Sequence, residues 1–178
     1  MFKQSRIIPV LLLLLVLFTL PALAAEEEDR YANLSKEANS SYFLDMKTLR
    51  HVAAEPGYDF KRNPDLVLKD KGYVEAWVKV EYSKTGAKEV VESLAAQEKS
   101  VEGYDRLAFS LQLLRVKPAS NDVAMLEQAD YDRNGKLLGR SVYPPGRWVS
   151  YQAVGARAAE ICDKLVAAQK SVYATFDR

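Results

Sequence analysis

From Tyr73 to Tyr82 the chain alternates without interruption. Val74, Ala76, Val78, Val80 and Tyr82 share one parity, and Tyr73, Glu75, Trp77, Lys79 and Glu81 share the other. Successive side chains of a strand point to opposite faces, so this run predicts a half-buried antiparallel strand. Such a strand needs neighbouring strands and a cover for its apolar face.

The rest of the chain supplies both. Tyr31 to Leu34 and Ser41 to Met46 read as strands, with a turn at Asn39-Ser40-Ser41. Asp105 to Val116 alternates again, with Leu107, Phe109, Leu111 and Leu113 on one face and Arg106, Ser110 and Gln112 opposite. Val123 to Tyr131 and Lys136 to Tyr143 flank Asn134-Gly135, the dipeptide favoured in tight hairpins. Pro144-Pro145-Gly146 ends that hairpin, and Trp148 to Tyr151 is a short last strand whose tryptophan is expected in the core.

Two segments change period. After a turn at Ser83–Gly86, Ala87 to Val101 places Val90, Val91, Leu94, Ala95 and Val101 on one helical face. Gly155 to Val172 carries a stripe of Ala158, Ile161, Cys162, Leu165, Val166 and Val172. Residues 53–72, with Pro56-Gly57 and Asn63-Pro64, have loop chemistry. The expected fold is α+β: a mainly antiparallel sheet of about five or six strands, a C-terminal helix packed on it and one short inserted helix.

The N-terminus is of a different kind. Lys3 and Arg6 precede an apolar stretch from Ile7 to Leu20, and Ala22-Leu23-Ala24 offers a small-residue cleavage site. These are the three parts of a cleavable signal peptide. Residues 1–24 are therefore expected to be removed, leaving 25–178 as a single domain in the periplasm, secreted or at the cell surface. No cysteine stands at the cut, so no lipid anchor is expected, and no stable membrane insertion after cleavage.

Composition removes several function classes. The chain carries 25 Lys and Arg against 24 Asp and Glu, so loss of Lys3 and Arg6 leaves it at about −1. A near-neutral domain has no general attraction to phosphate backbones, and nucleic acid is not an expected partner. Cys162 is the only cysteine and His51 the only histidine. An intramolecular disulfide is impossible, and zinc sites built on cysteine pairs are excluded.

The remaining constellations are weak. Asp130-Tyr131-Asp132-Arg133-Asn134-Gly135 matches the opening of a calcium loop. Ser141 stands where the closing glutamate is required, and a hairpin explains Asn134-Gly135 without metal. His51, after a strand, is expected as a surface residue of a loop. A hydrolase would have to draw on His51 or Cys162, yet no nucleophile elbow accompanies them. Cys162 is expected to be a small core hydrophobe of the last helix. No catalytic residue, metal or cofactor is expected. Tyr73, Trp77 and Lys79 are the surface candidates. An aromatic patch on a sheet is either a contact surface or is covered by a helix or a loop, and the amphipathic helices' need to pack favours the cover.

Three stretches carry a resemblance. They are Tyr42-Phe43-Leu44-Asp45-Met46, the Tyr73 to Val80 strand, and the order from Tyr131-Asp132 through Arg147-Trp148-Val149-Ser150-Tyr151 and Val154-Gly155-Ala156 to Ile161-Cys162. Over most of residues 31–165 the chain resembles the surface-adhesin protein E-like domain of bacterial envelope proteins. The resemblance implies a small antiparallel sheet backed by a C-terminal helix, no enzymatic chemistry, and a role in binding proteins, with host matrix and plasma proteins as the adhesin's ligands. It also implies a bridge between the helix cysteine and one in the sheet, for which Cys162 has no partner here. The expectation is an exported, non-enzymatic, protein-binding envelope protein, or alternatively a periplasmic accessory or structural protein.

Overall fold

The structure is a computed structural model that describes residues 30–53, 72–144 and 147–176. The leader, the 53–72 loop from residue 54 to 71, and Pro145-Gly146 lie outside the described residues. The described residues from Ala32 onward belong to one compact unit.

The long alternating run is the central strand β4, Gly72–Tyr82. Before it come β1 (Tyr31–Lys36), β2 (Ser40–Asp45) and β3 (Arg50–Ala53). After it come β5 (Leu107–Lys117), β6 (Asp122–Asp132), β7 (Leu137–Val142) and β8 (Val149–Ser150). The sheet runs β1-β2-β4-β5-β6-β7, with β3 also on β4 and β8 also on β6. Two short strands thus share one flank of β4: Leu44 faces Val78, and Arg50 faces Glu75. In the gap between them the Thr48 hydroxyl accepts from the backbone N–H of Trp77 at 3.0 Å. That bond satisfies a donor that no strand reaches.

Helix α1 is Lys84–Ala96. It starts three residues earlier than its apolar pattern suggests, because Ser83 is its N-cap and accepts from the Gly86 N–H at 3.1 Å. Gly86 is fixed by close approach: a Cβ there would stand 2.0 Å from the Asn39 carbonyl oxygen. The helix stops before Val101, and a 3-10 turn at Tyr104–Arg106 leads into β5. A short helix α2 (Tyr151–Val154) precedes the C-terminal helix α3 (Ala156–Phe176), with Gly155 between them.

The core lies between the sheet and α3. Val74, Ala76, Val78 and Val80 meet Ile161, Cys162, Leu165 and Val166. All eight are under 9 % exposed. Burying a side chain of this size contributes about 1.5–3 kcal/mol, so this layer is the main source of stability.

The leucine row of β5 does not face that core. Ser110, Leu114 and Val116 are the buried residues there, while Phe109, Leu111 and Leu113 stay half-buried on the opposite face. A register shift between Leu107 and Phe109 takes Leu107 out of the row, and Leu107 is 6 % exposed. The pairing decides the face: Val80 stands opposite Ser110 and Val74 opposite Val116.

Candidate functional site

Both longer helices lie on the Val74–Val80 face. Helix α3 packs there through its apolar stripe. Helix α1 borders a cleft with Gln128, Asp130, Gly139 and Ser141, which belong to the same face. Among the described residues no helix lies over the other face. No described helix covers Trp77, which is half-buried on that side.

The pairing register brings the three surface candidates together. Tyr73, Trp77 and Lys79 project on the same parity of β4, next to Leu111 and Leu113 of β5. Around them cations and rings alternate. Lys79 Nζ lies 5.1 Å from the Phe109 ring centre, and Phe109 stacks on Tyr131 at 5.1 Å. The Arg115 guanidinium lies 4.6 Å from the Tyr73 ring, and Tyr73 meets Trp148 at 6.0 Å. Lys117 Nζ sits 4.2 Å from the Trp148 ring. Trp148 is thus half-buried beside Tyr73 rather than in the core, because the short strand β8 pairs with the start of β6 and leaves its neighbour outside. Cation–ring contacts of this kind are worth roughly 0.5–1 kcal/mol at exposed positions.

One acid anchors the patch. Glu75, on the outward parity, is only 2 % exposed. Arg115 Nε donates to its carboxylate at 2.5 Å and Arg50 Nε at 2.8 Å, with a second bond from the Arg50 terminal nitrogen. Burial pushes this carboxyl up, but the hydrogen bonds and charges of Arg115 and Arg50 outweigh it and hold it below the usual glutamate range. Neither arginine was legible as a partner in the sequence. The signal was available only as an acid on β4 with an arginine at an unknown register on each side.

The helix-covered face holds a second buried carboxylate. Asp130 accepts from Tyr104 Oη at 2.8 Å, Ser110 Oγ at 2.5 Å and Gln128 Nε2 at 3.0 Å. Tyr82 Oη is 3.1 Å from Ser110 Oγ, and burial pushes the Tyr82 phenol up to about 12. Burial and then the bond to Asp130 push Tyr104 up as well. Tyr104 reaches Asp130 across Gly139, where a Cβ would stand 2.2 Å from the phenol oxygen. Every donor in this cluster is neutral, and the cluster ties the 3-10 turn to the sheet.

The other sequence candidates fall elsewhere. Asp132 Oδ1 accepts from the backbone N–H of Asn134 at 2.8 Å and Lys136 at 3.0 Å. The Lys136 bond chiefly holds its carboxyl low. The calcium-like motif is a hairpin turn in which this oxygen is already engaged. His51 is no loop residue: it lies on β3 opposite Val74, with both ring nitrogens buried. Burial lowers its pKa to about 4, so the ring is neutral at pH 7. Cys162 is 2 % exposed in the core, and burial, followed by the nearby Asp163 charge, pushes its thiol up to about 12. A thiol held neutral in this way is a poor nucleophile. Among the described residues no group of three acids, histidines or cysteines is placed to hold a metal.

The fold and this surface together define an α+β sheet protein with one helix-covered face and one open face of rings and cations. Compared with known proteins, the chain matches no family model, no curated protein and no solved structure. Among the described residues no helix is long and apolar enough to cross a membrane.

Proposed function

We propose that this chain is an exported, non-enzymatic protein-binding module that engages its partner through the open face of the sheet. The observation that carries the reading is the convergence of Tyr73, Trp77, Lys79, Phe109, Arg115 and Trp148 on the face opposite the helices. Aromatic and arginine side chains are the residues that most often dominate protein interfaces. The likeness to the surface-adhesin protein E-like domain supports a protein ligand, with host matrix or plasma proteins as its class. The leader, Met1 to Ala24, supports export. The neutral thiol of Cys162 supports a role without covalent catalysis.

The test is binding of the purified protein to matrix and plasma proteins and to envelope extract. Trp77→Ala should lower the affinity of the captured partner at least tenfold, as for a hot-spot tryptophan, with the fold intact by circular dichroism. An unchanged affinity would move the binding surface elsewhere. No saturable partner in any of these mixtures would sink the reading.

A periplasmic accessory or structural role in the producing cell's own envelope is the second reading. It is favoured by the place of the only cysteine, in the core of α3 and far from the leader's end. Protease treatment of intact cells separates the two: a protein shaved from the surface fits adhesion, and one protected until the outer layer opens fits an envelope partner.

A further inference from the structure

On the helix-covered face, between the start of α3 and strands β5 and β6, lies a second feature. It is a cleft of about 650 Å³, within the range of roughly 300–1,000 Å³ typical of small-molecule sites. Leu114, Val123, Met125, Val149, Val154 and Ile161 form its walls. Val149 and Val154 are 51 % and 60 % exposed, two of the four large apolar side chains that the described surface leaves out in water. Two half-buried core-side residues, Val123 and Met125, lie beneath them. Packing is incomplete here.

The charge around the cleft is one-sided. In a chain with nearly equal acids and bases, no aspartate or glutamate among the described residues lines it, while Arg147 and Arg157 do. Arg157 is partly committed: it pairs with Glu37 and donates to Tyr42 Oη at 3.1 Å. Arg147 is exposed and makes no ion pair with any described residue. The first residues of α3, Ala156 to Ala158, border the same cleft. A helix start carries the positive end of the helix dipole.

From the apolar walls and the unbalanced positive charge we infer that this cleft binds a single-chain fatty acid, its hydrocarbon tail against Leu114, Met125 and Ile161 and its carboxylate at Arg147. A cleft of this volume takes a single hydrocarbon chain rather than a two-chain lipid or a protein helix. The site is on the opposite face from the protein-binding surface proposed above, and it stands without that proposal.

The experiment uses protein expressed from its complete coding sequence and purified in the form the cell makes. A dansyl-tagged undecanoic acid is titrated by fluorescence, then displaced with dodecanoate or dodecanol below their micelle concentrations. Saturable uptake of the probe is expected, with dodecanoate displacing it roughly fivefold more tightly than dodecanol, the scale of one exposed ion pair. Arg147→Glu should abolish that preference. Val154→Asp, which sets a carboxylate on the apolar wall, should weaken both ligands roughly tenfold or more. Both positions are exposed, so unchanged melting of the two variants confirms that the loss is local. Absence of saturable uptake overturns the inference. So does equal binding of acid and alcohol by the unmodified protein, or an acid preference that survives Arg147→Glu.

Discussion

Among the buried carboxylates of the sheet, Glu75 on one face and Asp130 on the other are held by opposite means. On the open face Glu75 is held by two guanidiniums. On the helix-covered face Asp130 is held by a phenol, a hydroxyl and an amide, all neutral. The difference follows from what can reach each face. The long, charged side chains of Arg50 and Arg115 lie across an open surface, with Arg50 still 68 % exposed to water. Such a charge keeps much of its hydration, so its pairing is cheap to form and modest in value. Beside α1 no described cation pairs with Asp130. Short neutral donors already fixed by the strands and the 3-10 turn fill the space instead, and leaving any of them unmade is costly.

The comparison is broken most severely from the helix side. Asp130→Ala removes the acceptor shared by Tyr104, Ser110 and Gln128 and should cost about 2–4 kcal/mol in urea unfolding. Tyr104→Phe should cost about 1 kcal/mol, since only one of the bonds is lost. If Asp130→Ala proves no worse than Tyr104→Phe, the cluster is not acting as a unit.

The next effect is on the open face. Glu75→Ala should cost about 1–3 kcal/mol, less than loss of a fully buried ion pair because the arginines left behind regain water. Its cost should shrink in high salt, whereas that of Asp130→Ala should not. The folded Glu75 carboxyl titrates below its ordinary value. Its contribution is therefore complete above the usual glutamate pKa and is lost only as pH falls through the lower folded value. Equal salt dependence of the two variants would erase the distinction between the faces.

These two carboxylates also mark where the sequence stops being informative. The alternation of residues 73–82, the Asn134-Gly135 hairpin and the apolar stripe of α3 were legible because each is a local pattern. They suffice for the α+β class and for the core of Val74–Val80 against Ile161–Val166. The facing of β5 was not legible. Phe109, Leu111 and Leu113 make the more apolar row, yet pairing with β4 sets Ser110, Leu114 and Val116 against the helices. Glu75 read as solvent-facing because its cover comes from Arg50 and Arg115, on strands whose register is a tertiary property. Trp148 read as core because nothing local reveals that β8 pairs at the very start of β6. Tyr73, Trp77 and Lys79 could be named as a patch from one strand, but the cations and rings around them belong to three other segments.

The smallest effect concerns His51, another polar side chain on the helix-covered face. Its folded pKa is lowered from 6.5 to about 4 by burial. The unfolded chain therefore takes up a proton near pH 6.5 that the folded chain refuses until near pH 4. Stability must fall as pH drops through this interval, and the fall is complete below the folded value. Between pH 7 and 5.5 the loss should be about 1 kcal/mol or less, since the residue is only half-buried. It is the only histidine, and ordinary carboxylates do not titrate in that window. His51→Gln should leave the unfolding free energy flat from pH 7 to 5.5, while the unmodified protein loses stability. Parallel slopes for the two would mean that the ring is as hydrated in the folded chain as in the unfolded one. The helix-covered face would then tolerate an ionised side chain at its β3 end, and the contrast with the open face would be confined to the Asp130 cluster.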